Sequence, residues 1–336
     1  MEKSSLDLTI AALGEQQLLK RLHQFCPPGM VGDDAAVLMP KTGYALVVTT
    51  DMLVDGIHFS DRTTSPADVG WRSATANLSD LAAMGATPLG LTLSLGLPES
   101  LQVSWLDQFY EGVAECLQIH STAIVGGDVS RSPVVTVSMT ALGEVLPDQQ
   151  ILRSTAQPGD AIVVTGPHGA ARAGLEVLLN PEWGQALSSA DRVYLCTAHQ
   201  RPRPRLDVLP ILRQLFPQSK VTGMDSSDGL ADAILQICRA SGVGAEIYQA
   251  NMPLTHSLKN PQVMPPQQAL QWSLYGGEDF ELVLCLPPSS AQELIANLNS
   301  DAAMIGHIIP ANSVNLLDLE GVEHSLKMQQ GFQHFG

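Results

Sequence analysis

Basic residues are scarce: 18 Lys and Arg stand against 34 Asp and Glu in 336 residues, a formal charge of −16. With no Lys- or Arg-rich stripe to replace counterions along a phosphate backbone, nucleic acid is excluded as a partner. Any phosphate ligand is expected to arrive with its metal. Long apolar runs are also missing. None approaches the roughly 18 residues of a membrane helix, and the opening stretch carries Glu2 and Asp7 with no signal-peptide core. The expectation is a cytoplasmic enzyme without membrane contact. The five cysteines (Cys26, Cys116, Cys196, Cys238, Cys285) are odd in number and far apart, which suits free, mostly buried thiols in a reducing compartment. Close Cys/His spacing of the kind zinc requires is lacking. Neither G-x-G-x-x-G nor G-x-x-x-x-G-K-[ST] occurs, so no standard nucleotide loop is on offer.

What is present is 45% hydrophobic content, enough for two domains with separate cores, and six short Gly/Asp-rich islands. These are Gly32-Asp33-Asp34-Ala35-Ala36-Val37, Thr49-Thr50-Asp51, Asn77-Leu78-Ser79-Asp80, Gly126-Gly127-Asp128, Asp225-Ser226-Ser227-Asp228-Gly229 and Gly276-Gly277-Glu278-Asp279. Most adjoin an apolar β-type run, so an α/β fold would bring several carboxylates to strand ends, where ligand sites form. Two carboxylates about 4 Å apart repel by roughly 1 kcal/mol in water and about 4 kcal/mol at an effective dielectric of 20. A converging set therefore calls for divalent cations, and hard oxygen ligands imply Mg²⁺.

Periodicity and punctuation predict a strand over 45–50 leading to Asp51, and a helix from Pro66 to about Gly85 with Ser73, Asn77 and Asp80 on one face. A strand over 89–95, a helix over 104–119, a strand over 123–125 ending near Asp128, and a β-run over 134–142 follow. A turn-rich stretch near Pro147 divides the chain into 1–147 and 148–336. In the second part a strand over 161–165, the turn Gly166-Pro167-His168-Gly169 and an alanine-rich helix could present amides to phosphate. Arg201-Pro202-Arg203-Pro204-Arg205 reads as a stiff connector. A helix opens at Asp228-Gly229-Leu230, and 280–284 is the last strong strand.

An isolated Asp-Gly turn is ordinarily structural. For Asp51, Asp80 and Asp128 taken together, metal ligation is the better reading, because each would be costly if unpaired. By residue type alone, His58 reads as a packed or surface residue, Tyr110 as core, and Phe332 as a tail residue docking on the core.

In this order the islands, with His58-Phe59 and the long motif Asn77-Leu78-Ser79-Asp80-Leu81-Ala82-Ala83-Met84-Gly85-Ala86, resemble the thiamine-monophosphate kinase family, from about Gly14 to Phe335. The isolated Asp turns also recur in the wider aminoimidazole ribonucleotide synthetase-like superfamily. The resemblance implies an α/β (α+β) two-domain fold of that superfamily, a homodimer joined through the N-terminal sheets, and ATP-dependent phosphorylation of thiamine monophosphate to thiamine diphosphate. It places Mg²⁺ ligands at Asp34, Thr49, Thr50, Asp51, Asp80, Asp128, Asp225 and Asp228. ATP contacts fall on Tyr110, Gly127, Asp128, Arg153 and Ser227, with Asp128 and Arg153 catalytic. Thiamine-phosphate contacts fall on His58, Glu278 and Phe332. Ser226 departs from the pattern, standing where an apolar residue is common. Selenophosphate synthetase would require a reactive Cys with a Lys near the N-terminus, and Cys26 lies between Phe25 and Pro27 without one. The hydrogenase-maturation relatives end in cysteine, whereas this chain ends Phe335-Gly336. An acidic metal- or nucleotide-binding regulatory protein is the non-enzymatic alternative.

Overall fold

The computed structural model describes residues 8–31, 33–217, 220–298 and 301–327. Over these the chain divides into two compact units, one running to Leu81 and adding Thr87–Val145, the other joining Ala82–Ala86 to everything from Leu146 on.

The first unit carries a four-stranded sheet in the order β1-β4-β2-β3: β1 (Ala45–Val54), β2 (Thr87–Leu97), β3 (Ile124–Arg131) and β4 (Thr136–Val145). One face is apolar by strict alternation, with Leu91, Leu93, Leu95 and Leu97 beside Val137, Met139 and Ala141, all buried. This unit also contains the short helices α1 (Ile10–Leu13) and α2 (Glu15–Leu22), the long α3 (Pro66–Ala83) and α4 (Val103–Ile119). α4 buries Leu106, Phe109, Val113 and Leu117, spaced three and four residues apart. Two buried polar side chains of α3 bond back to the helix itself: Ser73 Oγ donates to Val69 O, and Asn77 Nδ2 donates to Ser73 O.

Two expectations shift here. Asp51 does not end its strand, because β1 runs on to Val54 with Asp51 paired opposite Met139. Asp128 likewise sits inside β3, which continues to Arg131. Both strands are edges of the sheet, where a charge reaches water and discourages pairing with another chain.

The second unit has seven strands in the order β11-β10-β7-β9-β5-β8-β6. They are β5 (Ala161–Val164), β6 (Thr222–Asp225), β7 (Gly244–Tyr248), β8 (Leu282–Leu286), β9 (Ala303–Ile309), β10 (Val314–Leu317) and β11 (Glu323–Ser325). The run over 280–284 is therefore not the last strand. Its helices are α5 (Ala170–Leu179), α6 (Ser189–Gln200), α7 (Val208–Leu215), α8 (Leu230–Ser241), α9 (His256–Lys259), α10 (Pro266–Tyr275) and α11 (Pro288–Asn297). The central strands β5 and β8 are buried at every position because cores lie on both faces. Ile162, Val164 and Val283 pack with Ile234 and Ile237 of α8, while Val163, Leu282 and Leu284 pack with Leu209, Leu212 and Leu294 of α7 and α11. A strand covered on both sides reads as an unbroken apolar run. All five cysteines are free thiols, three of them buried.

Candidate functional site

Strand alternation organises the candidate residues of the first unit. Thr49 and Asp51, two apart, share one face of β1, and Thr49 Oγ1 donates to the Asp80 carboxylate of α3. Those three oxygen-bearing groups come from one side of the sheet and the helix on it. Thr50 faces the other way, its hydroxyl donating to Met139 O at 2.8 Å. His58 follows β1 in a turn held by Val54: the Val54 amide donates to His58 Nδ1 at 3.0 Å. An accepting Nδ1 places the ring proton on Nε2, so the imidazole offers a neutral donor.

Asp34, Tyr110, Gly127 and Asp128 all line one cavity of about 150 Å³ in this unit. Tyr110 is at once core and lining. It is 5% exposed, its ring lies 5.2 Å from that of Phe25, and burial holds its hydroxyl well above the usual phenol range. Gly127 has a steric cause, since a Cβ there would come within 2.2 Å of Leu93 O on the neighbouring strand. Asp128 beyond it is exposed on β3.

In the second unit the candidates lie in loops held by buried polar groups. β6 ends at Asp225, Ser227 Oγ lies 3.4 Å from Asp225 Oδ1, and Ser227 O accepts the Glu278 amide at 2.7 Å. This last bond ties the Asp225–Gly229 loop to the Gly276–Glu281 loop. The second loop is strained: Gly277, Glu278 and Phe280 all have positive φ, at 67°, 61° and 54°. At Gly277 a Cβ would meet Ser227 O at 2.9 Å. Glu278 Oε2 is 3.6 Å from Nδ1 of buried His199. Arg153 is exposed, with Nη1 donating to Gln236 Oε1 on α8 at 2.7 Å. Leu152 bridges to Thr222 of β6, which keeps Arg153 beside the strand that delivers Asp225.

The Gly166–Gly169 turn does not present open amides to phosphate. Gly169 N and Ala171 N donate to the Asp279 carboxylate at 2.7 and 2.9 Å, so a side chain of the same unit already caps α5. Burial pushes Asp279 up to about 7, against the pull of those amides. Other residues supporting these loops escaped the sequence reading. Arg205, 6% exposed and the last Arg of the supposed connector, pairs with Glu281 and Asp207 and donates to Thr165 O at 2.6 Å. His168 Nε2 lies 2.9 Å from Ser226 Oγ, both side chains being about 1% exposed, and burial lowers the imidazole to about 4. Ser226, the departure from the family pattern, thus has a polar partner in this chain. The only signals in the sequence were the acidic spacing of Glu278, Asp279 and Glu281 and the histidine in the turn.

Phe332 lies outside the described residues. Among the described residues no three His, Cys, Asp or Glu side chains gather closely enough to hold a metal ion, and no helix is long and apolar enough to cross a membrane.

An α/β sheet with carboxylates on its edge strands, followed by a mixed sheet with acidic loops, defines the class: an AIR synthase related protein. The N-terminal domain model of that family matches residues 32–145 and the C-terminal domain model matches residues 157–318. The chain belongs to this family and, within it, to the thiamine-monophosphate kinases. It is 52% identical to the thiamine-monophosphate kinase of Synechococcus elongatus over 98% of both chains. Its fold matches the crystal structure of thiamine-monophosphate kinase from Stenotrophomonas maltophilia K279a with a TM-score of 0.77 and 33% identity, covering 89% of this chain and 95% of that one. A second solved structure, AaThiL complexed with AMPPCP and TMP, matches with a TM-score of 0.74 and 30% identity over 96% and 99% of the two chains.

Proposed function

We propose that this chain transfers the γ-phosphoryl group of ATP to thiamine monophosphate, giving thiamine diphosphate and ADP. The observation that carries the reading is the whole-length relationship to a thiamine-monophosphate kinase at 52% identity.

The chemistry asks little of a base. The acceptor is a phosphate monoester with a second pKa near 6, already mostly the dianionic nucleophile at neutral pH. The task is to align two anionic groups in line and offset their charge. His58, proton on Nε2, donates to the acceptor phosphate. Arg153, steadied by Gln236, meets the phosphates of ATP, and Ser227 adds a hydroxyl. Glu278 supplies the negative charge that suits the cationic thiazolium ring, with Phe332 as its stacking partner. Tyr110 and Gly127 flank the nucleotide.

The donor set Asp34, Thr49, Asp51, Asp80, Asp128, Asp225 and Asp228 is all oxygen, which fits Mg²⁺ and disfavours softer metals; the Thr50 hydroxyl, turned to Met139 O on the other face of β1, stands apart from it. When bound, Mg²⁺ offsets phosphate charge in a protein whose own charge is −16. The homodimer belongs to the same reading. It is supported by the outer face of β1, where Leu46, Val48 and Met52 are 50%, 59% and 55% exposed, an apolar stripe suited to a second copy of the sheet.

The test is incubation with ATP, Mg²⁺ and either thiamine monophosphate or free thiamine, with products resolved by chromatography. Thiamine diphosphate should form from the monophosphate, while free thiamine, a hydroxyl acceptor in need of a base, should stay unchanged. Thiamine monophosphate appearing from thiamine at a comparable rate would assign a different kinase class. ADP formation that does not depend on either acceptor would mark an ATP hydrolase, and no ADP formation at all would favour the non-enzymatic, nucleotide-binding alternative.

A further inference from the structure

The buried pair of His168 and Ser226 includes none of the substrate contacts named above, yet Ser226 adjoins Ser227 and stands two residues before Asp228. His168 Nε2 lies 2.9 Å from Ser226 Oγ, and the Ser226 hydroxyl donates to Glu281 O at 3.0 Å. With its one proton spent there, the hydroxyl accepts from a neutral imidazole that carries its proton on Nε2. Two bonds in series thus join the turn at 165–169, through Ser226, to the loop at 276–281. The imidazole end is itself clamped: Ser273 Oγ of α10 donates to His168 O at 3.0 Å, and the next amide, Gly169 N, donates to Asp279 at 2.7 Å.

Ser226 is also held by its backbone. Its amide donates to Glu281 O at 2.9 Å, and its carbonyl accepts from Gly229 N at 2.9 Å. Ser227 and Asp228 are the two residues inside that closed turn, so they stand where Ser226 is held. Glu278 has supports that do not pass through Ser226: Asp279 accepts from Gly169 N and Ala171 N, and Arg205 pairs with Glu281. A disturbance at Ser226 therefore reaches the residues assigned to ATP and spares the acceptor's carboxylate. Position 226 is where this chain departs from the family pattern, and His168 supplies the reason. An apolar residue at 226 beside this histidine would strand a buried Nε2–H, which is costly, whereas replacing both partners by apolar groups is close to neutral. The two positions are exchangeable only together.

We propose that His168 is a positioning residue of the phosphoryl transfer, acting through Ser226 to hold Ser227 and Asp228 where they meet the phosphates of ATP and its Mg²⁺. The proposal rests on the kinase reading above and adds to it a pair of residues that touches neither substrate.

A double-mutant cycle on the full chain tests this, with His168→Leu, Ser226→Val and the two combined. Two readouts are taken well below the melting temperature: steady-state kinetics, and calorimetric titration with the non-hydrolysable ATP analogue AMPPCP in the presence of Mg²⁺. Each single variant should raise KM for ATP and Kd for AMPPCP at least fivefold, with KM for thiamine monophosphate within twofold of wild type. The combined variant should bring both values back to within twofold of wild type. Should Ser226→Val fail to fold, Ser226→Ala takes its place among the single variants. The proposal is overturned if kcat falls with the folded fraction while KM and Kd stay put, which would make the pair an element of the fold alone. It is equally overturned if the combined variant is as impaired as the product of the two singles. A wild-type chain that binds AMPPCP but makes no thiamine diphosphate would sink the kinase reading instead, and the Kd values of the cycle would still decide whether His168 holds the turn.

Discussion

The two units hold their acidic residues in different ways. In the first, position comes from strand alternation: Thr49 and Asp51 share a face of β1 because they are two apart, and Asp128 stands exposed on the opposite edge strand. In the second, Asp225 closes β6, and Ser227, Asp228 and Glu278 sit in loops whose shape depends on buried or half-buried partners, His168 with Ser226, Asp279 with the start of α5, and Arg205 with Glu281. A ladder is redundant, so a side chain can be changed there with little harm to its neighbours. A loop held by a few buried bonds has no such reserve. Substitutions in the first unit should therefore cost activity without stability, and those in the second should cost both.

The hardest test of that contrast is Arg205→Met. Removing the cation leaves Glu281 buried without its partner, and breaking a buried pair from one side costs about 3 to 5 kcal/mol. Chemical denaturation should show a loss of that order, with activity falling in proportion to the unfolded fraction. A loss under about 1 kcal/mol would mean that the loops do not depend on this pair. In the first unit, Asp128→Asn should lower kcat about a hundredfold, equivalent to about 3 kcal/mol of transition-state stabilisation, with the melting temperature unchanged. Retention of more than about half of wild-type kcat at saturating Mg²⁺ would remove Asp128 from the catalytic set.

The pH dependence sharpens the same distinction. His168 titrates near 4 in the fold against an ordinary value of 6.5, so the unfolded chain binds the proton first and stability is lost as pH falls from about 6.5 towards 4. The shift corresponds to a maximum on the order of 3 kcal/mol. Asp279 runs the other way: raised from 3.8 to about 7, it favours the fold at low pH and costs stability as pH rises through that window. The two oppose each other, and single variants separate them. Denaturation from pH 4 to 7 should show His168→Asn losing the acid-sensitive part and Asp279→Asn losing the base-sensitive part. Identical pH profiles for wild type and both variants would contradict the burial of these groups.

The sequence was legible where local pattern decides structure. The helix from Pro66 and the alternating runs of β2 and β4 were visible in it, as was the grouping of aspartates into islands. Asp51 and Asp128 were misread as strand ends because Asp is a poor strand former in general, whereas an edge strand accepts it. The loop partners were hidden by distance along the chain: Arg205 and Glu281 are 76 residues apart, His168 and Ser226 are 58. Neither pair has a spacing that a periodicity argument could catch. Arg205 was further concealed by its prolines, which suggested an extended connector and gave no hint that its last arginine is buried.

The smallest expected effect lies at Thr49, where the two strategies come closest, because a strand residue there also holds a carboxylate. Its hydroxyl donates to Asp80, a bond to a charged acceptor worth about 1.5 to 3 kcal/mol in general and less where water can substitute. Thr49 is only half-buried. Thr49→Val, which keeps the β-branched shape that suits β1, should therefore lower kcat/KM about tenfold, about 1.4 kcal/mol. The ladder around it keeps the melting temperature within about 2 °C. Thr49→Ser restores the hydroxyl and should recover most of the activity. Measured together, the three proteins distinguish a hydroxyl that orients Asp80 from a side chain that merely fills space. If Thr49→Val loses stability as a loop variant of the second unit does, or if Thr49→Ser is no better than Thr49→Val, the strand is not the independent scaffold that the alternation of β1 implies.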